Sequence, residues 1–407
     1  DQLLDKSCSG YIGFDPTADS LHIGSLVQII ILMHFQKFGH RPIVLVGGAT
    51  GMIGDPSGKS NERNLLSKKE LDKNIKGIHN QLSKFLDFDS KKKNSAILCN
   101  NNDWFKDVNL IDFIRDIGKH ITVNYMVAKE SVKKRLSKES SVGMSFTEFT
   151  YQLIQAYDFF HLFSNNNCLI QMGGSDQWGN ITSGVELIRK KTGEKAFALT
   201  CPLITKADGT KFGKTEDGNV WLDRTKTSPY KFYQYWLNIS DDDAKKYIKI
   251  FTFYTHKEIE NFIDSHEEAP LTRVLQKLIA EFLTELVHSK EDLENSITAS
   301  NILFGKSTSE DLGKLDEKTF LDIFDGVPNV TISKNDITKF PLVQDFLHNA
   351  GFLTSKSEIS RALKQNSISI NKEKIDDSYS IYEKNLICDK YILVQRGKKY
   401  YFIITID

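Results

Sequence analysis

Short apolar runs typical of strands alternate, in the first half of the chain, with longer segments whose apolar residues recur at the helical period. The strand-like runs are residues 11–14, 43–46 and 169–172, and the helical segments include residues 27–38 and 146–159. This alternation predicts an α/β fold built on a Rossmann-like, doubly wound parallel sheet.

The pattern changes after about residue 223, where helical periodicity alone continues. The predicted helices span residues 230–237, 241–251, 257–265 and 271–287. Further on, a basic amphipathic helix precedes three strand-like runs, at residues 355–364, 368–371, 391–394 and 400–406, with a basic turn at 396–399. We therefore expect three domains: a Rossmann-like domain at 1–223, an α-helical domain at 224–330 and a small α+β domain at 335–407.

Charge and cysteine content bear on the partners and the cellular compartment of the protein. The chain has 53 basic and 53 acidic residues, so its net charge is zero and any contact with RNA must come from a local patch. The five cysteines are scattered without metal-ligand spacing, which favours reduced thiols in a cytosolic compartment. No apolar run could cross a bilayer and no secretory signal is visible, so we expect a cytoplasmic protein with no metal site; a mature organellar protein would look the same.

The first strand-like run breaks into a helix with polar side chains on its opening turn. Asp19 or Ser20 is placed to cap a helix that starts near Leu21. His22 and Ser25 then lie three residues apart on the first turn, where free N–H groups and the helix dipole attract phosphate oxygens. This arrangement suits a polyphosphate, and the alternative is a helix cap with an incidental histidine.

Residues 55–60 resemble a phosphate-binding P-loop, but the spacing fails because Ile53 stands where the pattern requires glycine. We interpret this stretch as a basic loop in which Lys59 and Arg63 can reach a phosphate. A solvated surface loop is the alternative.

A second informative segment is the helix predicted at 146–159. Tyr151, Gln155 and Asp158 fall on one face among aromatic and aliphatic residues, which indicates a polar stripe facing a pocket or, alternatively, a buried structural network. The strand that follows ends in Gly174, and Asp176 is placed to accept a hydrogen bond from a ribose hydroxyl.

A third segment is a loop that carries Lys211, Lys214 and Thr215 between Gly209 and Gly218. Such a loop can close over a phosphate chain and bring positive charge to it. Lysine–glycine loops are common, so this segment alone is weak evidence for phosphate binding.

Together these segments resemble bacterial-type tyrosyl-tRNA synthetases, which are class I aminoacyl-tRNA synthetases. The resemblance covers nearly the whole chain and rests on four motifs in the right order, at residues 11–24, 46–57, 173–180 and 211–215. It implies activation of L-tyrosine by ATP to tyrosyl-adenylate and pyrophosphate, then transfer of the tyrosyl group to tRNA-Tyr. It also implies a homodimer, and Mg²⁺ that accompanies ATP.

The resemblance also implies a role for each matching residue. Those expected to bind tyrosine are Tyr11, Asp55, Tyr151, Gln155, Asp158 and Gln177, with Tyr11 and Asp158 on the phenolic hydroxyl. Those expected to bind ATP are Gly13, Asp15, Thr17, Gly174, Asp176 and Lys214. Those expected to act on the polyphosphate in the transition state are His22, Ser25, Lys59, Arg63, Lys211, Lys214 and Thr215. The substrate carboxylate is already ionised, so catalysis is positioning plus charge stabilisation.

Two features qualify the resemblance. Ser25 stands where the family has a second histidine, and serine donates a hydrogen bond but cannot become cationic. The family normally has a longer segment ahead of Tyr11. The C-terminal residues 335–407 resemble an S4-type RNA-binding domain, whereas residues 224–330 resemble the family's helical domain on the anticodon side.

Two other functions remain open from the sequence. A catalytically silent relative could serve as an RNA-binding or splicing factor, a reading that Ser25 keeps open and that His22 and Asp176 oppose. A tryptophan-specific relative, or another nucleotidyltransferase of the same fold, is the other possibility; Asp158 opposite Tyr11 favours tyrosine.

Overall fold

The computed structural model describes residues 6–56, 66–89, 91–136, 143–210, 212–215, 218–303, 308–381, 386–397 and 400–407. Contacts divide the chain into two compact units, Asp1–Asp223 and Arg224–Asp407. Within the described residues, none of the helices combines the length and the apolar character needed to cross a membrane.

The first unit is built on a five-stranded parallel sheet. Its strands are β1 (Ser9–Phe14), β2 (Arg41–Val46), β3 (Ile97–Asn100), β4 (Cys168–Gly174) and β5 (Phe197–Cys201). Their order is β3-β2-β1-β4-β5, and every neighbouring pair runs parallel. The order reverses between β1 and β4, which is the switch point at which doubly wound sheets bind ligands beyond the carboxyl ends of their strands. The fold predicted from the sequence is confirmed.

Helices of this unit connect the strands and pack against them. They are α1 (Ile23–Lys37), α2 (Lys68–Leu82), α3 (Asn102–Phe105), α4 (Leu110–Asp116), α5 (Val123–Val127), α6 (Glu130–Leu136), α7 (Phe146–Asn166) and α8 (Trp178–Thr192). Short 3₁₀ turns occur at Thr50–Met52, Gly118–His120 and Ser175–Gln177, and a two-stranded ribbon is formed by β6 (Lys214–Thr215) and β7 (Gly218–Asn219).

Helix α7 is well defined at both ends. The Ser145 side chain accepts from the N–H of Glu148, the Glu148 carboxylate accepts from the N–H of Ser145, and the helix ends at Asn167 in the left-handed conformation. Arg135 on α6 forms a buried ion pair with Glu148 at 2.9 Å. The start of the helix that carries three predicted site residues is therefore fixed by polar contacts.

The predicted start of α1 was wrong. Neither Asp19 nor Ser20 caps the helix; His22 itself is the N-cap, and its Nδ1 accepts from the N–H of Gly24 at 3.0 Å. Residues 21–23 instead pair with a distant segment: the N–H of Leu222 donates to the carbonyl of Leu21 at 2.9 Å. That pairing holds the chain extended for two more residues than the local sequence signals, so the helix begins at Ile23.

The second unit begins with helices and ends with a small mixed sheet. The helices are α9 (Pro229–Leu237), α10 (Asp241–Phe251), α11 (His256–Glu268), α12 (Val274–Val287), α13 (Lys290–Leu303), α14 (Ser309–Gly313), α15 (Glu317–Ile323), α16 (Lys334–Lys339), α17 (Val343–Asn349) and α18 (Lys356–Lys364), with a 3₁₀ turn at Pro270–Thr272. The strands are β8 (Asn329–Ile332), β9 (Ile368–Ile370), β10 (Glu373–Lys374), β11 (Tyr391–Arg396) and β12 (Tyr400–Ile406).

The small sheet has the order β10-β9-β11-β12-β8, in which β8 and β12 run parallel and the other pairs antiparallel. One apolar cluster packs α17 and α18 against it, with Phe346, Ile359 and Val394 almost fully buried. A second cluster joins the sheet to α13 and α15, through residues such as Phe320 and Leu393. The segments predicted as helical and as α+β thus share a core inside this unit.

Candidate active site

The predicted site residues of the first unit gather at the carboxyl ends of β1 and β4. Asp15, just after β1, accepts from the Tyr151 hydroxyl at 2.8 Å and from Oγ1 of Thr50 at 2.7 Å. These bonds join α7 to the loop after β1 and to the turn after β2. Gly47 permits the close approach, because a Cβ there would overlap the Asp15 and Thr50 side chains. The polar stripe predicted on α7 therefore faces the switch point.

Tyr11 and Asp158 lie at the deepest part of this region, each 1% exposed. The Tyr11 hydroxyl is buried and has no hydrogen-bond partner among the described residues. Burial, followed by the nearby charge of Asp158, raises the pKa of Tyr11 well above its ordinary value. An unsatisfied buried hydroxyl beside a buried carboxyl is costly unless a ligand completes the hydrogen bonding.

Asp158 is held by two donors on the segment after β3. Nδ2 of Asn101 donates to Oδ2 at 3.1 Å, and Nε1 of Trp104 donates to Oδ1 at 2.9 Å. Burial raises the pKa of Asp158 to about 8, against the opposing effect of these two bonds. The carboxyl is thereby oriented through both of its oxygens.

Asn101 links this end of the site to the rest. It is 0% exposed, its Oδ1 accepts from the N–H of Ala49 at 2.7 Å, and its Nδ2 also contacts Oγ1 of Thr50 at 3.1 Å. A continuous polar network therefore runs from Asp158 through Asn101 and Thr50 to Asp15. The sequence reasoning missed Asn101, Thr50 and Trp104; the one available signal was a polar cluster directly after a buried strand.

A second polar group forms around Asp55, which is 8% exposed. Nε2 of Gln177 donates to Oδ2 of Asp55 at 2.6 Å, and Nδ2 of Asn180 contacts Oδ1 at 3.4 Å. Gln155 is half-buried on α7, one turn beyond Tyr151. The structure thus brings Asp55 and Gln177 together, and Asn180 is a further member that the sequence reasoning missed.

The nucleotide-binding candidates lie nearer the surface. Gly13 is exposed on β1, and no atom lies within 4 Å of a Cβ built there. Thr17 is also exposed. Gly174 ends β4 against Asp176, whose carboxylate a Cβ on Gly174 would meet at 2.5 Å. These positions leave room for a flat ligand against the backbone, with an exposed carboxylate at its edge.

Gly213 and Val220 lie against the start of α1, next to His22. Because Nδ1 of His22 accepts from a backbone N–H, the ring proton resides on Nε2, which makes Nε2 a donor. The N–H of Ile23 donates to the carbonyl of Val220 at 3.0 Å, and a Cβ on Gly213 would lie 3.2 Å from Ile23. The residues just before β6 and just after β7 therefore both lie beside the start of α1, next to His22.

The predicted phosphate contacts differ in where they lie. Lys59, Arg63 and Lys211 lie outside the described residues. Lys214 and Thr215 form β6, so their backbone lies in the ribbon that returns to α1. Ser25 is half-buried on the first turn of α1, and its N–H donates to the carbonyl of His22 at 2.8 Å.

Two family models match the chain. The model of class I tRNA synthetases (W and Y) matches residues 5–305, and the model of the tyrosine–tRNA ligase SYY-like C-terminal domain matches residues 319–404. The tyrosine–tRNA ligase of Flavobacterium johnsoniae is 61% identical over 409 residues, which cover 100% of this chain and 95% of that protein. The tyrosine–tRNA ligase of Porphyromonas gingivalis is 58% identical over 401 residues, 98% of this chain and 93% of that protein.

Solved structures agree. A C-terminally truncated mitochondrial tyrosyl-tRNA synthetase of Aspergillus nidulans matches with a TM-score of 0.66 and 31% identity, over 75% of this chain and 89% of that one. A tyrosyl-tRNA synthetase of Archaeoglobus fulgidus, at 16% identity and a TM-score of 0.54 over 73% of this chain and 92% of that one, shares the fold. The chain belongs to the class I tRNA synthetases of the W and Y group and, within that group, to the tyrosine–tRNA ligases.

Proposed function

We propose that the site at the switch point activates L-tyrosine with ATP and then charges tRNA-Tyr, with Tyr11 and Asp158 gripping the phenol. The observation that carries this assignment is the buried Tyr11 hydroxyl, which finds no hydrogen-bond partner in the described part of the chain and lies near the Asp158 carboxyl. A phenolic hydroxyl both donates and accepts, so it can donate to Asp158 and accept from Tyr11. An indole has no acceptor to offer at that place.

The rest of the amino acid extends toward Asp55. The α-ammonium lies among Asp55, Tyr151 and Gln155, while Gln177 turns its amide toward the carboxylate. The 2.6 Å bond between Gln177 and Asp55 orients both side chains before the substrate binds. Held in this way, the carboxylate oxygen needs only alignment with the α-phosphorus of ATP.

ATP lies across the carboxyl ends of β1 and β4. Gly13, Asp15, Gly174 and Asp176 line the adenosine, and Thr17, His22 and Ser25 face the triphosphate. The tyrosine carboxylate forms a bond to the α-phosphorus, the bond from that phosphorus to the bridging oxygen of pyrophosphate breaks, and pyrophosphate leaves with the electron pair. Lys59, Arg63, Lys211, Lys214 and Thr215 stabilise the charge that develops on the departing group.

In the second step a ribose hydroxyl at the 3′ end of tRNA-Tyr attacks the tyrosyl carbonyl, the anhydride bond breaks, and AMP leaves with the electron pair while its phosphate oxygen takes up the hydroxyl proton. Mg²⁺ would accompany ATP and would offset negative charge on the phosphates. The carboxylates of Asp15, Asp55 and Asp158 each already accept hydrogen bonds from neighbouring side chains, which suits them to orient substrates.

We also propose roles for the remaining parts. Residues 224–330 contact the anticodon side of the tRNA and residues 335–407 form an S4-like RNA-binding domain, with Arg361 and Lys364 in the last turn of the amphipathic α18. The protein acts in the cytoplasm.

The proposed partner in solution is a second copy of the chain. Helix α4 exposes Leu110, Ile111 and Ile114 at 69%, 67% and 55%, and α5 exposes Val123 at 64%. The opposite side of this region packs in a cluster that includes Ile117 and α7 residues. Apolar side chains this exposed, on helices anchored from behind, favour a self-complementary interface.

Tyrosine-dependent ATP–pyrophosphate exchange tests the assignment. Purified chain is incubated with ATP, labelled pyrophosphate and one amino acid at a time. We expect exchange with tyrosine alone. Exchange with tryptophan would establish the tryptophan-specific alternative, and no exchange with any amino acid, while tRNA still binds, would establish a silent RNA-binding relative.

A further inference from the structure

Helix α2, which bears none of the motifs discussed above, holds the loop between β1 and α1. Three of its positions lie on one face, at the spacing i, i+3 and i+7: Asn74, Gly77 and Gln81. All three contact the segment that runs from Pro16 to Leu21. This segment belongs to no helix or strand, so its path depends on such contacts.

Gln81 makes the most specific of these contacts. It is 9% exposed; its Oε1 accepts from the N–H of Leu21 at 2.8 Å, and its Nε2 donates to Oγ of Ser20 at 2.9 Å. Ser20 in turn donates to the carbonyl of Leu21 at 2.8 Å. A single side chain thus satisfies the N–H of Leu21, the residue before His22, in a buried place where an unpaired N–H would be costly.

The neighbouring contacts reinforce this position. Nδ2 of Asn74, 8% exposed, donates to the carbonyl of Pro16 at 2.9 Å. Gly77 lets the helix touch the backbone directly, because a Cβ there would overlap the carbonyl oxygen of Asp19. At the surface, Lys73 pairs with the Asp19 carboxylate at 2.8 Å, a contact too exposed to contribute much.

We propose that Gln81 is a positioning residue for ATP: it fixes the Ser20–Leu21 peptide so that His22 caps α1 with its Nε2 proton directed to the triphosphate. Gln81 reaches His22 through a short chain of backbone contacts. Leu21 is fixed from one side by Gln81 and from the other by Leu222, and the next residue, His22, closes on the N–H of Gly24. This inference rests on the proposed role of His22 toward phosphate.

The chain offers a matched control in Gln36, at the far end of α1. Its Nε2 donates to the carbonyls of Asp87 and Asn94 at 2.8 and 3.1 Å, and its Oε1 accepts from the N–H of Asp87 at 2.9 Å. Gln36 therefore also fastens one segment to another with its amide, but away from His22. Replacing either glutamine by leucine removes a comparable set of bonds.

The test uses the full chain and single-turnover formation of tyrosyl-adenylate, titrated with ATP, together with equilibrium dialysis of labelled tyrosine. We expect Gln81→Leu to weaken the apparent ATP affinity or the activation rate by about tenfold, with tyrosine affinity unchanged within about twofold. Gln36→Leu should lose similar resistance to urea and change neither kinetic quantity. Equal kinetic effects of the two variants would show that Gln81 acts only on stability.

A double-mutant cycle with His22→Ala separates this inference from the proposed role of His22. If Gln81 acts by placing His22, Gln81→Leu costs little in the His22→Ala background, whereas full additivity overturns the inference. No effect of His22→Ala by itself overturns the proposed phosphate contact instead. Should Gln81→Leu fail to fold, Ser20→Ala removes only the bridging hydroxyl. This variant should also lower the apparent ATP affinity or the activation rate. An unchanged dependence of the rate on ATP would refute the inference.

Discussion

The indole Nε1 of Trp104 donates to Oδ1 of Asp158 at 2.9 Å, 54 residues along the chain from its acceptor. The Trp104 ring stacks on His161 with centroids 4.3 Å apart, so the donor is held by packing as well as by its bond. Asp158 consequently presents a fixed face to Tyr11. The selectivity of the pocket thus depends on the segment after β3 as well as on the two residues proposed to touch the phenol.

The raised pKa of Asp158 predicts a pH dependence of stability. Its ordinary value is 3.8 and its folded value is about 8. Between these values the folded chain keeps a proton that the unfolded chain has released, so the free energy of unfolding falls as pH rises, by ~1.4 kcal/mol per unit for one proton. Asp158→Asn should lack this slope when urea-induced unfolding is followed by circular dichroism from pH 5 to pH 8.

Asp116→Asn is the control for that measurement. The Arg115 side chain lowers the pKa of the exposed Asp116 carboxyl to about 2, so this group is ionised in both states throughout the range. The variant should keep the slope of the unmodified chain. An identical slope in Asp158→Asn would mean that Asp158 is ionised in the folded chain at pH 5.

Tyr11→Phe should change stability and substrate recognition in opposite directions. The Tyr11 hydroxyl is buried without a partner among the described residues, so its removal should raise the unfolding temperature of the ligand-free chain. The same change should lower the preference for tyrosine over phenylalanine in pyrophosphate exchange by roughly 2- to 13-fold, the contribution of one neutral hydrogen bond.

Tyr151→Phe provides the comparison. That hydroxyl donates to Asp15 at 2.8 Å, so its removal should lower the unfolding temperature. A loss of stability in both variants would indicate that Tyr11 has a partner in solution before tyrosine binds.

The sequence was sufficient where the deciding interactions are local. Helix α10 has the bounds predicted from the sequence, Asp241–Phe251; Ser240 caps it and three acidic residues lie in its first turn, all of which are local interactions. Strand β12 was likewise predicted at Tyr400–Ile406. Buried apolar runs and helix caps can be recognised in the sequence without knowing which segments they pack against.

It was insufficient where distant segments compete with local signals. Helix α1 begins two residues later than predicted because Leu21 bonds to Leu222, about two hundred residues away. Asn101 reads as a turn residue, and only the fold brings it to Asp158, 57 positions later. The motifs predicted which residues bind the substrates, whereas the residues that orient Asp158 and Asp15 are specified by tertiary contacts that no motif contains.

Ser25→His should accelerate adenylate formation if the position faces the triphosphate. Serine donates one short hydrogen bond, while an imidazole reaches further and can carry positive charge toward the leaving pyrophosphate. We expect the pre-steady-state activation rate to rise about 2- to 10-fold, with tyrosine affinity unchanged. An unchanged rate would show that position 25 does not contribute to the transition state.

The exposed apolar side chains of α4 and α5 predict a dimer that a single charge can separate. Ile111→Glu places a carboxylate on a face where Ile111 is 67% exposed in the isolated chain, and burial of that charge against a second copy would be costly. At micromolar concentration, light scattering after size exclusion should report the mass of a dimer for the unmodified chain and of a monomer for Ile111→Glu. Leu271→Glu, on a side chain that is 98% exposed in the second unit, should leave the mass of the dimer unchanged. If both variants keep that mass, the interface lies on another surface, and the apolar face of α4 is left to a different partner.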